Sequence, residues 1–297
     1  MVRGRTARAR IANVLARLLR DGYIVLAIVF VGLRLFAIPP WADSVDAYAY
    51  WTTRTGDFYA TAETGRIGAY LYSPAFAQIM TPLVALPLAV FTALWTALNL
   101  AALWWLVGRL ALPLLLFLPI PLEIISGNVH LLYAVAIVVG FRFPATWALM
   151  LLTKITPGIG VLWFAVRREW RSLAIAVGVA AGIAAVSFVL DRSAWEQWIT
   201  LLRADLGRAG QGTLDTPGWY LPVALAPRLV IAAVLVVIAA WRNLRWLLPV
   251  AVVLALPVIW LNSLAVLVAM IPLWRQRKSP VGAPEPAPAE LVGAVPS

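Results

Sequence analysis

Two carboxylates three residues apart, Asp43 and Asp46, are followed at once by Tyr48, Tyr50 and Trp51. In a helix that spacing puts both acids on one face, and amphipathic rings beside them suit a membrane–water interface. A carboxylate so placed can act as general base on a hydroxyl, or it can be an ordinary solvated loop residue. Four more charges, Arg34, Glu123, Lys154 and Arg228, stand within apolar runs. Each costs at least ~2.5 kcal/mol at mid-bilayer facing lipid, so each is expected to face a cavity or a partner. Arg34 and Arg228 lie near segment ends and are expected to snorkel. Lys154 precedes Thr156-Pro157 between two half-segments, where a cation and unwound backbone can hold an anion. A pair with Glu123 accounts for Lys154 equally well. His130 is the only histidine, and a lone histidine on an apolar helix is more often a hydrogen-bonded core residue than a base. With no cysteine and one histidine, no transition-metal site is expected, while a hard cation on the loop acids stays open. No glycine-rich nucleotide loop is present, and no cofactor is expected.

The elements that must position these residues are apolar. Of 297 residues 63% are hydrophobic and only 12% are charged, which excludes a soluble globular domain. Mean hydropathy is +0.88. Apolar runs recur from 22 to 274 without strict alternation, which favours a helical bundle over a β-barrel. The net charge of +11 gathers before the first run and after the last, a membrane topology signal that needs no nucleic acid. The reading is an all-α polytopic membrane protein in the plasma membrane, with about eight or nine spans, some short or broken, and both termini cytoplasmic. Residues 1–21 are a basic leader, 22–274 the bundle, and 275–297 a disordered tail. Loops at about 39–73 and 191–219 lie outside and hold eight of the thirteen acids.

Ser73-Pro74 reads as a helix start. Pro82 and Pro87 separate a short helix over 74–86 from a span over 88–107. The runs 110–125, 128–141, 143–153 and 157–166 are each shorter than the roughly 20 residues needed to cross. Counting them as full spans puts Arg167, Arg168 and Arg171 on the wrong side, so one of them is expected to be broken or re-entrant. Segments 172–190, 220–240, 246–260 and 261–274 complete the bundle, with Asn262-Ser263 between the last two.

Four landmarks stand in order: Asp46-Ala-Tyr-Ala-Tyr; Tyr72-Ser-Pro-Ala-Phe76 leading into Pro82-Leu-Val-Ala-Leu-Pro87; Gly127-Asn-Val-His-Leu-Leu132; and Lys154-Ile-Thr-Pro157 followed by an Arg-Arg-x-Trp-Arg turn. Over roughly residues 20–205 the chain resembles glycosyltransferase family 87, the polyprenol-phosphate-mannose-dependent mannosyltransferases of GT-C architecture. The resemblance implies a GT-C-like bundle that moves mannose from a polyprenyl-phosphate donor to a lipid or glycan acceptor outside the cell, with inversion. It implies Asp46 as general base, with Asp43 second to it. Lys154 or Arg34 would meet the donor phosphate, and Tyr48, Tyr50, Tyr72, Asn128 and His130 would line the substrate pocket. Two rivals stand beside it. A transporter or flippase of lipid-linked sugar should show repeated halves and more acids within spans, and a non-catalytic scaffold would tolerate loss of every loop acid.

Overall fold

The computed structural model describes residues 2–36, 44–60, 62–209 and 220–278, and their regular elements are helical apart from one isolated bridge, Tyr220 to Trp260. The expected tail from 279 onward lies outside these residues. The basic leader and the first apolar run form one helix, α1 (Val2–Phe36). After it come α2 (Val45–Trp51), α3 (Pro74–Val84) and α4 (Leu88–Val107). α3 begins as its sequence predicts: Ser73 is extended at the N-cap, its side chain accepts from the Phe76 N–H, and Pro74 takes the first turn. α4 covers the residues expected of it, with Pro87 at its N-cap.

Beyond α4 prolines cut the chain into short pieces. These are α5 (Ala111–Leu114), α6 (Pro119–Ser126), α7 (His130–Gly140), α8 (Ala148–Thr153) and α9 (Leu162–Val166), with 3-10 turns before the last two. α6 and α7 bend by 106° at Gly127, the kind of break that the charge pattern demanded. Long helices return in α10 (Trp170–Leu190), α11 (Arg192–Ala209) and α12 (Leu225–Trp241). The chain then shortens again through α13 (Leu248–Leu254), a 3-10 stretch at Leu261–Ala269 and α14 (Met270–Lys278). Among the described residues, Leu88–Leu114 and Trp170–Leu190 are long and apolar enough to cross a membrane, and the bent α6–α7 pair makes a third if it counts as one span. The other apolar segments are the short and broken kind.

The segment from 191 is no open loop over its first part. Asp191 caps α11 by accepting from Ser193 Oγ and the Ala194 N–H, and Trp198 is buried, donating its indole N–H to the Leu71 carbonyl. Tyr23 of α1 donates to the Leu100 carbonyl at 2.6 Å, tying the first helix to α4. Arg228 does not snorkel. It is buried at the start of α12 and donates to the carbonyls of Val223, Ala224, Leu254, Leu256 and Pro257. The broken backbone after α13 supplies acceptors that a continuous helix would have used itself, so the guanidinium gains partners without reaching water.

Candidate active site

Asp46 stands in the first turn of α2, a helix buried through Ala47, Ala49 and Tyr50. Three contacts hold this helix in place. The Trp51 indole N–H donates to the Leu86 carbonyl at 2.9 Å, and Tyr50 packs edge-on against Tyr72, Phe76 and Trp95. Ala47 lies against Gly127 at the α6–α7 bend. Gly127 has φ +72°, and a Cβ there would come within 2.7 Å of the Ala47 Cβ. Only glycine allows this turn and this approach together. The bend and the short helix therefore position one another. Within the loop read over about 39–73, Asp57, Glu63 and Arg66 are exposed while Tyr59, Tyr70 and Tyr72 are buried, and Tyr59 donates to the Tyr72 carbonyl at 2.5 Å.

Asp46 opens onto a cavity of about 460 Å³. Its walls come from α2, from 64–71, from α6 through Leu122 and Ser126, and from Trp260, Leu261 and Asn262. Among the described residues, Asp46 is the only carboxylate on that wall. Loss of water raises its carboxyl above the ordinary carboxylate value, and the positive charge of Lys154 acts against that rise. The amide of Asn128 also favours the anion. Asn128 is oriented for this: its Oδ1 accepts from the Val129 N–H at 2.7 Å and from the Tyr72 hydroxyl at 3.3 Å, which leaves its N–H₂ group for the carboxylate. Tyr50 in turn lies 3.0 Å from the Tyr72 hydroxyl oxygen. Burial holds both phenols well above their usual range, so they are neutral.

The second carboxylate sits elsewhere. Glu123, on α6, is fully buried. It accepts from the His130 backbone N–H at 2.6 Å, approaches His130 Nδ1 at 2.9 Å, and accepts from Asn262 Nδ2 at 3.0 Å. This network staples the two arms of the bend to the 3-10 stretch at 261–269. Lys154 makes no ion pair with Glu123; its Nζ stands 5.3 Å from the Tyr72 ring centroid. Beside it, Leu151, Ile155, Ile159, Leu162, Leu229 and Val230 border an open apolar groove of about 520 Å³.

The predicted residues thus separate into layers. Asp46 lines the cavity, whereas Tyr50, Tyr72 and Asn128 are buried behind it and orient it. Tyr48 is half-buried and packs on Gly68 and Trp51. His130 is a buried partner of Glu123, as a core histidine would be. None of these five is on the cavity wall beside Asp46, and His130 Nε2 is a buried nitrogen with no partner among the described residues. Arg34 does not snorkel: it is buried and donates Nη2 to the Ile125 carbonyl at 3.0 Å. Asp43 lies outside the described residues. Sequence reasoning missed Asn262 and Trp260 as cavity residues, although the polar Asn262-Ser263 pair between two apolar segments marked the place.

A family model described as glycosyltransferase family 87 matches residues 70–285, which takes in most of the C-terminal third, where the sequence resemblance is weaker. No curated protein and no solved structure matches the chain.

Proposed function

Because the chain belongs to glycosyltransferase family 87 and is thereby a membrane glycosyltransferase, we propose that Asp46 is the general base of its transfer reaction. In this reading the donor is a polyprenyl-phosphate sugar, with mannose as the sugar, and the acceptor is a hydroxyl of a lipid or glycan on the extracytoplasmic face. The acceptor hydroxyl gives its proton to Asp46 while its oxygen bonds to the anomeric carbon. The bond from that carbon to the phosphate oxygen breaks, and polyprenyl phosphate leaves as an anion. One displacement inverts the configuration. No acid is needed for the leaving group, since a phosphate departs as a stable anion and gains most from a nearby positive charge.

The observation that carries the reading is the placement of Asp46: the only carboxylate on the cavity wall among the described residues, within the field of Lys154, and oriented by Asn128. Lys154 supports a donor-phosphate role because its charge acts on Asp46 and its chain neighbour Ile155 borders the apolar groove, where an isoprenoid chain would lie. Arg34 is left with the positioning of α6, since its guanidinium is turned to the Ile125 carbonyl.

The test supplies membranes containing wild type, Asp46→Asn or Lys154→Met with polyprenyl-phosphate mannose labelled in the sugar, and follows label into acceptor. Loss of a general base is expected to lower the rate about 10²–10⁴-fold at equal protein level. Lys154→Met is expected to lower kcat as well, because its charge meets the leaving group. Transfer by Asp46→Asn within a few-fold of wild type would remove it as base.

A further inference from the structure

Opposite Asp46, the cavity wall is built by the turn at 260–262. The Trp260 N–H donates to Ser263 Oγ at 3.1 Å, and the Leu221 N–H donates to the Ile259 carbonyl at 2.9 Å, so this turn is pinned from both sides. Asn262 faces the cavity next to Ser126 and Trp260. Its amide could point either way, and the neighbours decide which. Glu123 Oε2, 3.0 Å away, belongs to a carboxylate whose other oxygen accepts a backbone N–H, and an ionised carboxylate only accepts. Ser126 Oγ, 3.2 Å away, has its own proton directed to the Glu123 carbonyl, so toward Asn262 it too accepts. Both neighbours therefore take N–H bonds from Nδ2. That leaves Oδ1, which has no protein partner among the described residues and is not among the buried polar atoms left without one. It is the open acceptor of the side chain.

We infer that Asn262 is a specificity-determining residue: its Oδ1 accepts a hydrogen bond from one hydroxyl of the transferred sugar, and Glu123 is the positioning residue that locks it in that sense. The inference rests on the glycosyl-transfer reading above. The chemistry of the wall fits a sugar. Trp260 and Leu261 offer apolar surface to the C–H faces of a pyranose ring, while a fixed acceptor beside them selects a donor hydroxyl at one ring position. A ligand that displaces water from this acceptor without supplying the matching hydroxyl leaves it unpaired, so the site discriminates against such a ligand.

The experiment compares polyprenyl-phosphate mannose with four donors that each lack one of the sugar's free hydroxyls, three on the ring and one on its hydroxymethyl group, using wild type and Asn262→Ala in membranes. Wild type is expected to lose about 10²-fold or more in kcat/KM on one of the deoxy donors. Asn262→Ala is expected to be slow on the full donor and to treat that deoxy donor as its equal. Should the alanine variant fail to accumulate, Asn262→Leu keeps the side-chain volume and makes the same prediction. Equal use of every deoxy donor by wild type, or unchanged discrimination by the Asn262 variants, overturns the inference while leaving glycosyl transfer intact. Absence of transfer from the full donor by wild type overturns the parent reading instead.

Discussion

Asp46 and Glu123 are both carboxylates on short helices beside the same cavity, yet their surroundings differ in kind. Glu123 is fully enclosed and has three donors directed at it, two from His130 and one from Asn262, which lies 139 residues beyond Glu123 in the chain. Asp46 keeps partial exposure on a cavity wall, where desolvation and Glu123 oppose its charge and Lys154, the Asn128 amide and His130 favour it. A fully enclosed carboxylate with three donors directed at its oxygens holds structure. One that is dehydrated but not fully satisfied is a stronger base than it would be in water. The two regions divide labour on that principle, and Gly127, the hinge between them, brings Ala47 of the reactive helix against the bend that Glu123 stabilises.

The sharpest way to break this comparison is to remove each carboxylate and measure thermal stability in detergent or nanodiscs. Glu123→Ala leaves the His130 N–H and ring nitrogen and the Asn262 amide without their acceptor. At about 1–3 kcal/mol for each buried group left unpaired, it is expected to lower Tm by more than any other single change proposed here. Retained stability in Glu123→Ala would mean the network is dispensable. The next effect belongs to the hinge. Gly127→Ala combines a φ of +72° with a Cβ 2.7 Å from Ala47 and 3.1 Å from Trp95, so it is expected to cost about 1–3 kcal/mol and to reduce transfer by displacing α2. Gly178→Ala is the control, since a Cβ there meets nothing within 4 Å on α10. It should leave Tm unchanged or raise it slightly. Equal losses at both glycines would show that the bend is not specially constrained.

Some of this division was legible from residue types alone. Ser73, Pro74 and Pro87 act on their own backbone, so the limits of α3 and α4 could be read locally. Charge parity, a property of the whole chain, required one broken element between 110 and 166, and the bend at Gly127 supplies it. Asp46 could be singled out because a membrane-edge acid followed by aromatics is an unusual local pattern. Partnerships across the fold were not readable. Nothing near Glu123 in sequence announces Asn262, and the even choice of Lys154 as its partner gave way to His130, seven residues on across a turn. Arg34 and Arg228 were expected to reach for water because that is the default for an isolated helix. The structure instead gives them carbonyls, which broken helices expose and continuous ones do not.

The finest distinction concerns what Asp46 does to the fold itself. Desolvation raises its carboxyl above the ordinary value of 3.8, so the folded state holds this proton more tightly than the unfolded chain does. Any stability from that proton is present below the unfolded value and lost as pH rises through the higher folded one. At neutral pH the ionised side chain therefore weakens the fold, and Asp46→Asn, which mimics the neutral form, should melt at the same temperature as wild type or slightly higher. The difference should vanish on acidification below the ordinary carboxylate value. Transfer runs the opposite way, because the base must be ionised: the rate should fall as pH drops through the raised value, earlier than an ordinary carboxylate would allow. A pH–rate profile beside Tm curves for both proteins reads the two slopes at once. If the acidic limb fell at the ordinary value, or Asp46→Asn melted well below wild type at neutral pH, Asp46 would belong with Glu123 among the structural carboxylates and the comparison would collapse.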